Sequence, residues 1–123
     1  MNEHAETFDF VVAGSGGGSM CAALVARSLG KSVLILEKTA FVGGTTSRSG
    51  GAMWIPNNRF MSQDGLADSE EKAIEYLDHV VGNSEDTRGA TPEHRATYVR
   101  EAPRMLDFLV EQGIKFHRYP YWP

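Results

Sequence analysis

A single cysteine, Cys21, serves the whole 123-residue chain. That excludes an internal disulfide and points to a reducing, cytoplasmic compartment. The four histidines, His4, His79, His94 and His117, share no spacing suited to a common metal, so no zinc or iron–sulfur site is expected. No apolar run approaches the roughly 20 residues of a membrane helix. The start, Met1-Asn2-Glu3-His4-Ala5-Glu6, has neither the basic opening nor the apolar stretch of a secretory signal. Basic residues are too few for a polyanion partner. Twelve Lys and Arg stand against 16 Asp and Glu, and the net charge of −4 argues against nucleic acid or an anionic membrane. Repeats and low-complexity tracts are absent as well.

What is present begins at Phe8-Asp9-Phe10-Val11-Val12-Ala13, an apolar run on both faces and therefore a strand covered on both sides. Gly14-Ser15-Gly16-Gly17-Gly18-Ser19 follows, then an Ala-, Leu- and Val-rich helix from Gly17 to Leu29 with Gly30 placed as its C-terminal cap. A second strand, Ser32 to Leu36, ends at Glu37. Strand, helix and strand make one right-handed crossover. Gly14 lets the chain turn off the strand, Gly16 lets backbone approach a pyrophosphate, and the opening helix amides face its charge. Glu37 lies 23 residues after Gly14, close to the roughly 20-residue spacing of an acid that accepts a ribose hydroxyl. The third small position is Ser19 rather than Gly. A glycine-rich turn without a ligand is the bland alternative, and the surrounding strand–helix–strand order weighs against it.

From Thr39 to Gly65 the pattern loosens into Gly, Ser, Thr, Asn and Pro around Met53-Trp54-Ile55, a long loop of the length that is usually functional or disordered. A helix then starts near Asp68, expected to cap it with Glu71 reaching back, and presents Ile74, Leu77 and Val81 until Gly82. Another starts at Thr91-Pro92, with Thr91 as cap. Pro103 predicts a kink or two consecutive helices before Gly113. Ile114 to Tyr119 reads as a short strand. The expected organisation is a βαβ core over 7–38, a loop over 39–65 and a helical segment over 68–113. One crossover does not bury a parallel sheet, so an incomplete domain is expected.

The second glycine segment, Val42-Gly43-Gly44-Thr45-Thr46-Ser47-Arg48-Ser49-Gly50-Gly51, runs into Ala52-Met53-Trp54-Ile55-Pro56. Together the two motifs resemble the N-terminal part of FAD-dependent flavoproteins of the fumarate reductase and 3-ketosteroid dehydrogenase group. The 3-ketosteroid Δ1-dehydrogenase branch is the nearer match, over roughly residues 7 to 60. The resemblance implies an α/β, Rossmann-like FAD-binding unit with two or three further helices. It implies Gly14, Gly16, Glu37, Thr45, Thr46, Gly50 and Gly51 as cofactor positions, then Ser15, Gly17, Lys38, Gly43, Gly44 and Ser49. The residue chemistry agrees with FAD: glycines permit close backbone approach, and Thr45, Thr46 and Ser49 carry hydroxyl donors. Arg48 reads as an exposed loop residue.

Other residues carry plainer readings. Cys21, one turn into the first helix, is a packing residue before it is a reactive thiol. Asp78-His79, Glu70-Glu71-Lys72 and Glu85-Asp86 read as solvated charge. Trp54, Tyr119, Tyr121 and Trp122 border either a flat apolar substrate or a packed core. By resemblance a tyrosine near the end of this region assists proton removal; Tyr119, Tyr121 or a residue past Pro123 fits, so the catalytic residues stay unassigned. The activity implied is desaturation of a 3-ketosteroid ring with hydride transfer to flavin. The isolated chain is expected to be inactive and to need the remainder of the protein. The alternatives are a fumarate-reductase-like flavoprotein acting on a small unsaturated acid and a non-catalytic dinucleotide-binding module.

Overall fold

Apolar residues at both ends of the first 36 positions pair as parallel strands in the computed structural model, which describes residues 6–82 and 89–121. The readings placed on His4, Glu85, Asp86 and Trp122 lie outside the described residues. The chain divides into two compact units, residues 1–53 and 54–123, with the division inside the stretch read as one loop.

In the first unit β1 (Phe10–Ala13), α1 (Gly17–Ser28) and β2 (Val33–Leu36) follow in order. The strands are parallel, with Phe10 opposite Val33 and Ala13 opposite Leu36. Asp9 fixes this register: its Oδ2 accepts from the Ser32 amide and hydroxyl, both at 2.8 Å, while its own N–H donates to Ser32 Oγ at 2.9 Å. Those bonds hold its carboxyl below the usual range. Helix α1 ends as the Gly30 placement anticipates: Gly30 N–H donates to the Arg27 carbonyl and Lys31 N–H to that of Ala26. The strand burial differs from expectation. Only Val12 of β1 is buried, while Phe10, Val11 and Leu36 are exposed. Among the described residues the sheet has two strands, so each strand lacks a neighbour on one side.

The second unit is helical. α2 (Arg59–Gln63) lies within the expected loop, capped by Asn58 Oδ1, which accepts from Phe60 N–H at 2.9 Å. α3 (Glu70–Val81) is capped by Ser69 rather than Asp68. Asp68 is otherwise engaged, accepting from Asn57 N–H at 2.6 Å and Ser69 N–H at 2.9 Å. Glu71 does not form the expected box with an Asp68 cap; its carboxyl turns to its own N–H and the Ser69 hydroxyl, which hold it low. α4 (Pro92–Glu111) runs unbroken through Pro103, so two consecutive helices do not form. Proline removes one helical N–H; Val99, Ala102, Leu106 and Leu109 on the same helix are buried and hold the course. Ile55, Ala102 and Leu106 form the core, with Phe60, Met105 and Phe116 against it.

Two further expectations change. Residues 114–119 form no strand; Phe116 instead packs on that core. Asp78 is not simply solvated, because it pairs with the buried Arg95 at 3.0 Å, and Arg95 Nη1 also donates to the Gly82 carbonyl at 3.0 Å. A cation thus closes the carbonyl end of α3. Trp54 stacks on Tyr98, with rings 6.0 Å apart and 8° from parallel, and lies 5.3 Å from Tyr76. The Tyr98 hydroxyl donates to the Trp54 carbonyl, and burial pushes the phenol pKa up. Among the described residues no helix is long and apolar enough to cross a membrane.

Candidate functional site

The first glycine turn starts one bond past the sheet, where Gly14 N–H donates to the Leu36 carbonyl at 2.7 Å. Its φ of +90° then takes the chain off the strand in a conformation that disfavours any side chain. Gly16 caps α1 in extended geometry without a side-chain bond, and no acid sits in the helix's first turn. The helix's own first turn thus supplies no carboxylate to its N-terminal amides, which carry the partial positive charge of a helix start. A Cβ built on Gly14, Gly16 or Gly18 would meet nothing within 4 Å, so open space faces this turn.

Glu37 stands beside it at the end of β2. Its Oε2 accepts from the Ser15 hydroxyl at 2.6 Å and the Ser15 amide at 3.1 Å. Its Oε1 accepts from Thr39 N–H at 2.9 Å and Thr39 Oγ1 at 3.0 Å. These four bonds, that of the Ser15 hydroxyl foremost and those of Thr39 next, hold the carboxyl down to about 2. Four bonds fill a carboxylate's acceptor positions. One of them can yield. Thr39 Oγ1 has one proton and two acceptors in reach, Glu37 Oε1 and the Phe41 carbonyl at 2.7 Å. With that proton on Phe41, Oε1 is open to a sugar hydroxyl.

The second glycine segment closes onto the first. Gly43 N–H donates to Ser15 Oγ at 2.8 Å, and Gly17 N–H donates to Thr46 Oγ1 at 3.0 Å. A Cβ on Gly44 would lie 3.7 Å from the Gly16 Cα, so the two loops nearly touch. Thr46–Arg48 then forms a short 3-10 turn.

The structure therefore brings together Gly14, Ser15, Gly16, Gly17, Glu37, Gly43, Gly44 and Thr46. The rest stay outside this network: Lys38, Thr45, Gly50 and Gly51 are exposed, and Ser49 spends its hydroxyl locally, donating to the Thr46 carbonyl at 2.9 Å and accepting from Gly51 N–H at 3.1 Å. Thr39 was missed, although a hydroxyl residue two positions after an acid is a recognisable turn signal. Cys21 is half-buried on α1 and in no disulfide. Tyr119 and Tyr121 are exposed in the helical unit. Among the described residues no group of three or more His, Cys, Asp or Glu is placed to hold a metal ion.

Comparison with known proteins places this arrangement. The sequence model of one family, described as an FAD binding domain, matches residues 9–120. The 3-oxosteroid 1-dehydrogenase of Mycobacterium tuberculosis H37Rv is 42% identical over 106 residues, covering 86% of this chain and 18% of that protein. The urocanate reductase of Eggerthella lenta is 53% identical over a shorter stretch of 74 residues, 60% of this chain and 12% of that one. Among solved structures, the 3-ketosteroid Δ1-dehydrogenase of Sterolibacterium denitrificans, in complex with 1,4-androstadiene-3,17-dione, superposes with a TM-score of 0.73. Its identity is 39%, covering 87% of this chain and 18% of that one. The chain thus spans about a fifth of the length of such relatives.

Proposed function

The chain belongs to the FAD-binding-domain family, and on that premise we propose that it grips the ADP half of FAD in an oxidoreductase that desaturates a 3-ketosteroid. The observation that carries the grip is the joining of two glycine loops beside an ionised Glu37. The residues fit the cofactor. Open space over Gly14, Gly16 and Gly18 admits a pyrophosphate against backbone, and Glu37 Oε1 accepts a ribose hydroxyl once Thr39 turns to Phe41. A 2′-phosphate would meet that carboxylate's charge, which selects against the phosphorylated dinucleotide. Lys38, Thr45, Ser49, Gly50 and Gly51 complete the proposed contacts from the loop beyond. Bound FAD supplies an acceptor for a hydride.

Substrate and activity rest on the relatives. At 42% identity with a 3-oxosteroid 1-dehydrogenase across most of the chain, we assign a 3-ketosteroid. Its ketone acidifies the neighbouring C–H; a proton leaves one carbon, a hydride leaves the next, and a ring C=C forms. This chain's part is to hold the acceptor. Turnover is assigned to a protein with the remaining four-fifths that the relatives possess, and the exposed Phe10, Val11 and Leu36 are surface that a wider parallel sheet would cover. The lone Cys21 supports a reducing, cytoplasmic setting.

A second reading has its own support. The 53% identity with a urocanate reductase favours reduction of a small unsaturated acid. Anaerobic mixing of the flavin-loaded protein that carries this chain separates the two. Bleaching of visible flavin absorbance by a 3-ketosteroid supports the steroid assignment. Failure to bleach, with reoxidation of the reduced flavin by an unsaturated acid, supports the second.

A further inference from the structure

We infer that Ser15 is a positioning residue, not a ligand contact: its hydroxyl locks the Glu37 carboxylate and the second glycine loop into one unit. The inference rests on the nucleotide-site reading above and assigns a different role to one of its residues.

The proton count carries it. A serine hydroxyl has one proton and two lone pairs. The Ser15 proton is on Glu37 Oε2 at 2.6 Å, a short charge-assisted bond. One lone pair takes the Gly43 amide at 2.8 Å. What remains is an acceptor, which a phosphate, itself an acceptor, cannot use. Ser15 is 2% exposed, so its hydroxyl is also withdrawn from solvent. The residues it joins lie 22 and 28 positions away in sequence. Through one oxygen the end of β2 and the start of the Gly43-Gly44 loop are tied to the turn after β1. The two oxygens of Glu37 then divide their work. Oε2 is anchored by Ser15, and Oε1 faces Thr39, whose hydroxyl has the alternative acceptor on Phe41. The ribose is thereby directed to one oxygen only.

Two nucleotide-free readouts test this in the 123-residue chain: the Glu37 carboxyl titration by 13C NMR, followed from neutral pH downward, and hydrogen exchange of the Gly43 amide. Ser15→Ala should raise the Glu37 midpoint from about 2 by on the order of one pH unit and make Gly43 exchange several-fold faster. Ser15→Cys keeps the volume with a weak donor, so it should move both readouts the same way and serves if the alanine variant does not fold. Thr39→Val removes the hydroxyl's bonds to Oε1 and to the Phe41 carbonyl but none to Ser15; it should raise the midpoint and leave Gly43 exchange unchanged. A folded Ser15 variant with wild-type titration and wild-type Gly43 exchange overturns the inference. So does a Ser15 variant that loses ADP affinity while both readouts hold, because that marks a direct contact. Equal acceleration of Gly43 by Thr39→Val would show general loosening and overturn it too. Failure of the complete protein that carries this chain to bind FAD or ADP would fell the nucleotide reading alone, since neither readout uses nucleotide.

Discussion

Replacing Gly16 by alanine separates a glycine kept for its ligand from a glycine kept for the fold. Gly16 sits at φ −67° and ψ 167°, where alanine is at ease, and an added Cβ meets no protein atom within 4 Å. Loss of unfolded-state freedom favours Gly→Ala by about 0.4–1 kcal/mol, and the poorer helix-capping preference of alanine opposes it by a similar amount. The melting temperature should therefore stay within about 4 °C of wild type. A methyl placed where backbone meets pyrophosphate instead costs about 1–3 kcal/mol of overlap, a loss of ~5–150-fold in affinity for ADP or FAD. Gly43→Ala is the opposite case. Its φ is +105°, and the new Cβ would stand 2.6 Å from Ser47 Cβ. Backbone strain alone costs about 1–3 kcal/mol there, so stability and binding should fall together. Circular-dichroism melts and isothermal titration with ADP read both quantities. A sharply lower melting temperature for Gly16→Ala, or unchanged affinity, would refute the placement of pyrophosphate at this turn.

Two further outcomes follow from named residues. Glu37 titrates at about 2 in the folded chain, below the ordinary carboxylate value, so its contribution is complete above about pH 5 and is lost as pH falls towards 2. Melts across that window should show wild type losing stability more steeply than Glu37→Gln; parallel curves would contradict the depressed titration. Leu106, 4% exposed at the centre of the helical core, should cost about 2–5 kcal/mol on truncation to alanine. Urea unfolding measures it, and a change under 1 kcal/mol would show that the core is not assembled as described.

Much of the first unit is legible in the sequence because its signals are local. Two short apolar runs, a glycine turn and an acid at the second run's end suffice for β1, α1, β2 and the position of Glu37. The dense hydrogen bonding around that acid is not legible. Ser15, Glu37 and Gly43 are far apart in the chain, and nothing in a serine's identity says which carboxylate it will meet. Helix α2 escapes because five residues give too little periodicity, although Asn58 before it and Gly65 after it are usable stop signs. The strand expected at 114–119 fails for a tertiary reason: the apolar residue at Phe116 finds the Ile55–Ala102–Leu106 core instead of a strand partner. Pro103 does not split α4 into two helices, since one missing N–H is a local loss and the burial of the helix's apolar face outweighs it.

The most direct test of the central claim is an amide chemical-shift map of the 123-residue chain titrated with ADP. Saturable shifts concentrated at Gly16, Gly17, Gly18, Gly43, Gly44 and Thr39, much weaker with the 2′-phosphorylated nucleotide, are the result that the geometry predicts. Shifts confined to residues 54–121, or equal response to both nucleotides, would contradict it.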